Sequence, residues 1–368
     1  MDGYRWDYQD RYETPFFDSI QQIGVKAESL QPSFPSKTFP NHYTIATGMY
    51  PNTHGLVSNA FYSSLHQDFY KIRDREKVGD GTYYGGEPIW VSAEKQGIKA
   101  ASYFWVGSEA DVKGIRPSIW KQYDGAVSYS ARVDSVIGWL DKPYGERPKL
   151  CMLYFDEPDR VGHHYGPQSD STQKMVEILD QQLLELTTQI NQLAIKDSVN
   201  IIVLSDHGMG AISSDRYHVI NQSIDTSKIE YVLGSNPVYM VKAKASYHQK
   251  LKAEFNALEG ITAWDKADVP EHLHYGTHEN IAPIVVVADS AWSISVSEPG
   301  AYVGGTHGYD PTNKDMHGIF YAFGPSFKKG HTQATFENIH IYELMCSLIG
   351  IAPAENDGHV SNIKDMLK

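Results

Sequence analysis

Only two cysteines, Cys151 and Cys346, occur in 368 residues. That excludes a multi-disulfide framework and any thiolate metal cluster. Long apolar runs are also missing, since no stretch approaches the roughly 18 residues that read as a membrane span. Basic residues are in the minority, 32 Lys and Arg against 45 Asp and Glu, for a net charge of −13. Such a balance excludes bulk binding to nucleic acid or anionic lipid, although a local metal pair would still attract phosphate. The first residues show no export-leader pattern, and there is no repeat, low-complexity tract or clear linker. No obligate protein partner is implied.

What is present is a core-forming composition, 41% hydrophobic, with 24 Tyr and an unusually high 16 His. Four short apolar runs read as buried strands: residues 99–105, 149–155, 199–205 and 318–324. Between the second and third, Met175, Ile178, Leu179, Leu183, Leu184, Leu186 and Ile190 recur at helical spacing. Strand, long amphipathic helix and strand form a βαβ signature, and residues 130–141 read as another crossover helix. The expected fold is α/β, a doubly wound, mostly parallel sheet flanked by helices. Residues from about 211 to 305 read differently, as strand, helix and strand, and predict an α+β cap inserted in this single catalytic domain.

Ligands of an open α/β sheet gather beyond the carboxyl ends of its strands, and three of these runs adjoin metal-ligand residue types. "SDHGMG" places Asp206 beside His207, "DEPDRVGHHYGP" sets Asp159 and His163 four apart, and "VGGTHGYDP" holds His307 between glycines. Carboxylate with imidazole and no thiolate suits zinc above other divalent cations. Any one of these residues alone is ordinary surface decoration; three groups at strand ends together point to metal. Asp156 and Glu157 read better as groups that orient the loop, and His164 as exposed or supporting. Thr38, in a Pro-bracketed turn before a helix, is either an N-cap or a nucleophile poised where backbone N–H groups favour phosphate. A threonine hydroxyl needs a metal or base to act. Asn59 is either a turn residue or a donor to a phosphate oxygen. Asp2, beside Met1, is either a frayed end or half of a distant site.

These pieces match a known family in order along nearly the whole chain. "DGYRWDY" (2–8), "KTFPNHYTIATGMYPNTHGLVSN" (37–59), "GEPIW" (86–90), "FWVGSEADVKGIRPSIWKQYDG" (104–125), "YFDEPDRVGHHYGP" (154–167), "SDHGM" (205–209) and "GTHGYD" (305–310) carry the likeness. The chain resembles the nucleotide pyrophosphatase/phosphodiesterases of the alkaline phosphatase superfamily, as a bacterial-type catalytic domain. The resemblance implies two Zn²⁺ ions, one held by Asp2, Thr38, Asp206 and His207, the other by Asp159, His163 and His307. It implies Thr38 as nucleophile through a covalent phosphothreonine, Asn59 steadying a phosphate oxygen, and Phe39, Tyr123 and Tyr154 lining a nucleotide pocket. Nucleotides or other small phosphodiesters are the implied substrates, with release of a nucleoside 5′-monophosphate in the periplasm or outside the cell.

Two departures accompany the likeness. "AFY" follows Asn59 where vertebrate nucleotide-hydrolysing members tend to carry a lysine, which implies a weaker hold on distal phosphates. In the family the aspartate corresponding to Asp2 ends the first, central strand, so the resemblance predicts that this core strand is missing before residue 2. Other readings of the same residues are a two-metal hydrolase of phosphomonoesters, phosphonates or choline phospholipids, or a non-catalytic metal-binding homologue.

Overall fold

Apolar runs bounded by Gly, Pro and Asp fold as short strands in the computed structural model, which describes residues 1–368. The central strands are β1 (Val25–Ala27), β2 (Ala100–Tyr103), β3 (Ile119–Lys121), β4 (Leu150–Leu153) and β5 (Ile201–Leu204). Next come β6 (Ile229–Ser235), β7 (Val238–Ala243), β8 (Ile261–Asp265) and β9 (Ile284–Ala288), then β10 (Phe320–Phe323) and β11 (His331–Gln333). The helices that position the site are α1 (Pro15–Ile23), α2 (Thr38–Thr47), α3 (Tyr129–Leu140), α4 (Asp159–Tyr165) and α5 (Asp170–Ile190). Between β7 and β8 lies α6 (His248–Asn256), and α7 (Ile341–Ile349) lies near the carboxyl end.

The central layer is a sheet in two halves, ordered β11-β1-β10-β5 and β3-β2-β4. Pairing is parallel between β1 and β11 and between β2 and both its neighbours. β10 instead runs antiparallel to β1 and β5. It leaves the loop that carries His307 at the carboxyl end of β5, so it must descend where its neighbours rise. Short β1 and β11 escape sequence reading because three residues show no usable period. Met1 and Asp2 join the two halves: the Met1 ammonium donates to the Leu204 carbonyl at 2.9 Å, and the Asp2 N–H to Phe155 at 2.9 Å.

α5 starts at Ser169, whose hydroxyl accepts the Thr172 N–H. Its buried stripe is Thr172, Val176, Leu179, Leu183, Thr187 and Ile190, at the 3–4 spacing of a single helix face. Ile178 and Leu184, counted with that stripe from sequence, lie to its sides and are exposed. Residues 229–288 fold as an antiparallel sheet, β6-β7-β9-β8. Strand alternation divides its apolar residues between two cores. Val238 and Met240 join Tyr43 and Trp90 beside α2, whereas Tyr239 and Val241 pack on Leu251 and Phe255 of α6.

Asp180 lies on the buried stripe of α5, where a charged residue is unusual. Its carboxylate accepts the N–H groups of Phe16 and Phe17 at 3.2 and 2.9 Å, capping α1 from outside. This cap fixes the segment leading away from Asp2. Asp180→Ala should lower unfolding stability by about 2 kcal/mol by orphaning two helix N–H groups. Asp180→Asn, which keeps one acceptor, should cost less; equal urea midpoints for Asp180→Ala and the parent would remove the capping role.

Candidate active site

All six carboxylate and imidazole candidates converge at the carboxyl ends of the strands. Asp2 emerges between β4 and β5, Asp206 and His207 directly follow β5, Asp159 and His163 lie on α4 after β4, and His307 precedes β10. They form two groups, Asp2–Asp206–His207 and Asp159–His163–His307, the ligand atoms of each lying within 4.8 Å of one another. Thr38 opens α2 and places Oγ1 3.3 Å from His207 Nε2. The residue in the N-cap position is Lys37, and it makes no side-chain cap. The N-cap reading of Thr38 is therefore set aside: its hydroxyl faces the ligand groups instead.

Each imidazole is held by its far nitrogen. Nδ1 of His163 meets the Gly305 carbonyl at 2.8 Å, that of His207 the Gly208 carbonyl at 2.8 Å, and that of His307 the Ser36 carbonyl at 2.7 Å. A carbonyl only accepts, so each Nδ1 carries the proton and Nε2 is turned inward, the arrangement of a metal-binding histidine. The inward atoms are crowded and lack donors. Asp2 Oδ1, Asp159 Oδ1 and Asp206 Oδ2 are buried without a hydrogen-bond partner. Nε2 of His163 and His307 stand 3.1 Å apart. His207 Nε2 lies 3.3 Å from Asp2 Oδ1 and 3.1 Å from Asp206 Oδ2. Orphaned carboxylate oxygens and facing lone pairs make a donor set that fits divalent cations.

The proton balance carries the same strain. Burial, against the pull of His207, lifts the Asp159 carboxyl to about 7. Burial and neighbouring Asp206 also raise Asp2. Burial alone would lower His207, but the Asp206 carboxylate prevails and raises it to about 9. Burial lowers His163 to about 4. Without a cation, the site therefore keeps protons where a metal ion would put charge.

Several supporting residues were invisible in the sequence. His42, one turn after Thr38, places Nδ1 3.0 Å from the Thr38 carbonyl and 3.1 Å from Asp206 Oδ2. Only its i+4 spacing from Thr38 could have marked it. Ser205 accepts the Tyr4 N–H at 2.8 Å, and Gly3 donates to Asp206 at 3.2 Å. Lys37 is buried, its ammonium on the Asn236 carbonyl, and burial lowers it to about 7. Glu157 caps α4 by accepting the Val161 N–H, and Asp156 pairs with Arg132; neither approaches the metal-ligand groups as a member. His164 is exposed.

Of the aromatic candidates, Phe39 sits half-buried next to Thr38. Its N–H donates to Asn59 Oδ1 at 3.0 Å, which leaves the Asn59 NH₂ as a free donor beside the helix start. Tyr123 is 37% exposed and meets Phe104 edge-on at 5.2 Å. Tyr154 differs from a simple pocket wall. It is buried, its ring lies 6.3 Å from Tyr123, and its hydroxyl donates to Asp2 Oδ2. Tyr154 thus ties the aromatic side of the site to the carboxylate side.

This fold, with carboxylates, imidazoles and one threonine converging at the strand ends, defines an α/β domain with two candidate metal-ligand groups. The model of the type I phosphodiesterase/nucleotide pyrophosphatase family matches residues 1–310, and the chain belongs to that family. A venom phosphodiesterase of Naja atra is 36% identical over 380 residues, covering 100% of this chain and 46% of that protein. Human ectonucleotide pyrophosphatase/phosphodiesterase family member 1 is 33% identical over 386 residues, covering 100% and 41%. The chain thus spans less than half the length of these relatives. Among solved structures, murine ectonucleotide pyrophosphatase/phosphodiesterase 5, an inactive threonine-to-alanine variant in complex with AMP, superposes with a TM-score of 0.96. It is 29% identical, with 100% of this chain and 98% of that one covered.

Cation binding should be steeply pH-dependent. In metal-free protein, the raised Asp159 carboxyl contributes stability that is complete below its ordinary value and lost as pH rises through about 7. A bound divalent cation must displace that proton and the His207 proton, so its affinity should rise roughly tenfold per pH unit for each proton released. The thermal shift produced by Zn²⁺ should accordingly be larger at pH 8 than at pH 6. Equal shifts would show that no proton leaves on binding.

Proposed function

We propose that this chain is a two-zinc phosphodiesterase that cleaves nucleotide pyrophosphate or phosphodiester bonds and releases nucleoside 5′-monophosphate. The observation that carries the reading is the Thr38 hydroxyl at the start of α2, 3.3 Å from His207 Nε2 and flanked by two groups of inward-facing ligand atoms. Asp2, Asp206, His207 and Thr38 would hold one ion, and Asp159, His163 and His307 the other. Bound there, zinc supplies charge that lowers the pKa of a hydroxyl and neutralises phosphoryl oxygens.

The chain's own residues set the geometry. The Thr38 oxygen forms the new bond to phosphorus while the bond to the leaving group breaks, giving a phosphothreonine diester. The Thr38 N–H at the start of α2, which has no partner, and the Asn59 amide would face the charge that builds on the phosphoryl oxygens, the Phe39 N–H being taken by Asn59. Water then cleaves the Thr38–phosphorus link and restores the hydroxyl. Phe39 and Tyr123 offer faces for a base, consistent with the AMP complex of the murine neighbour. The venom and ectonucleotide relatives support a site of action outside the cell.

Thr38→Ala should lower turnover of a bis-aryl phosphate by about a thousandfold or more, with zinc content by metal analysis unchanged. Undiminished turnover would dismiss Thr38 as nucleophile. Bis-aryl phosphate should turn over faster than mono-aryl phosphate; the reverse order would favour the monoesterase reading, and no turnover of either a non-catalytic one. Tyr123→Ala should raise KM for a nucleotide substrate about tenfold through lost stacking, on the order of 1–2 kcal/mol, and leave KM for bis-aryl phosphate nearly unchanged. A parallel rise on both substrates would remove the base-stacking role.

A further inference from the structure

Lys37, the residue before Thr38, is buried, and its ammonium donates to the main-chain carbonyl of Asn236. Burying an ammonium costs free energy, and an apolar side chain of the same length would fill the space without that cost. The Asn236 carbonyl accepts a second donor, the Thr306 hydroxyl at 2.8 Å, so both of its lone pairs are engaged. Thr306 is the residue before His307. One oxygen in the turn between β6 and β7 thus joins the neighbour of Thr38 to the neighbour of His307.

A direct link lies beside this one, from His307 Nδ1 to the Ser36 carbonyl at 2.7 Å. A single hydrogen bond between two loops is a pivot. Bonds at successive residues of each loop, Ser36 and Lys37 on one and His307 and Thr306 on the other, also fix their relative orientation. The Asn236 carbonyl is itself held in place. Its side-chain amide donates to the Ser293 hydroxyl at 3.1 Å, and its side-chain oxygen accepts the Ile294 N–H at 3.0 Å. The loop after His307 lies against the Lys37 chain, since a Cβ at Gly308 would stand 2.5 Å from it. Neither partner can shift alone.

We infer that Lys37, Asn236 and Thr306 are positioning residues, which through one shared carbonyl fix the Thr38 hydroxyl against the Asp159–His163–His307 group. The inference rests on the reading of Thr38 as nucleophile between two ligand groups. Thr38 stands with the Asp2–Asp206–His207 group, so this pin sets the spacing over which attacking and leaving oxygens must line up. A misplacement of about 1 Å in such an alignment costs about a hundredfold in rate. The three residues act on the reaction through Thr38 and His307.

Thr306→Val keeps the shape of the side chain and removes the donor, whereas Thr306→Ser keeps the donor. Thr306→Val should lower kcat for bis-aryl phosphate about tenfold or more, with KM within about twofold, and Thr306→Ser should restore it. Lys37→Met should act likewise. The double variant should lose less than the product of the two losses, because both bonds end on one oxygen. In metal-free protein, hydrogen exchange at the Phe39 and Asn41 amides, which bond to Asn59 and to the Lys37 carbonyl, should quicken in Thr306→Val and recover in Thr306→Ser. Unchanged exchange, unchanged kcat, a rise in KM alone, losses that multiply, or no recovery in Thr306→Ser would each overturn the pin. Failure of the nucleophile reading looks different: Thr38→Ala would keep its turnover while the Phe39 and Asn41 amides still respond to Thr306→Val.

Discussion

Three carboxylates, buried Asp2 and Asp206 and half-buried Asp159, are brought together, and the ion-pair partners of all three are histidines. Like charges at this distance in a buried setting repel strongly. The surrounding fold is arranged to hold them there: carbonyls of Ser36, Gly208 and Gly305 fix the imidazoles, while Ser205, Gly3 and Tyr154 fix the carboxylate side. Anionic and imidazole groups held together this rigidly make a donor set that fits a divalent cation.

The glycines of the site loops have the same origin. At Gly304, φ is +97° and a Cβ would stand 2.0 Å from the His163 carbonyl. The close approach sets the His307 loop against α4, and so brings His163 and His307 into one group. Gly308 plays the corresponding part on the other side, where a Cβ would meet the Lys37 chain at 2.5 Å. Backbone packing of this closeness is possible only without side chains, which is why the motif residues between ligands are as restrictive as the ligands.

Much of the fold could be read from the sequence because the strands between 99 and 324 are apolar runs cut by turn residues and α5 has a clear 3–4 stripe. The unread parts fall where local signals fade. β1 and β11 are three residues each, β10 is antiparallel because of where its loop begins, and Ile178 and Leu184 turned outward because seven apolar residues cannot share one helix face. In the site, adjacency exposed Asp206–His207 and i+4 spacing exposed Asp159–His163. His42 and Ser205 stayed hidden, since their role lies in contacts that local sequence does not encode.

Sequence alone determined the residue types for carboxylate–imidazole metal chemistry, the threonine at a helix start and the α/β succession, because each is a local pattern of composition or period. Tertiary structure decided which residues meet. Asp2 and Asp206 are 204 positions apart in the chain and become neighbours only because Met1–Asp2 hydrogen-bonds to Leu204 of β5 and to Phe155 just past β4. Tyr154 was given a place against the nucleotide, and folding gave its hydroxyl to Asp2. Hydrogen bonds and burial act through space, so the partners they select are fixed by how the half-sheets pack and not by order along the chain.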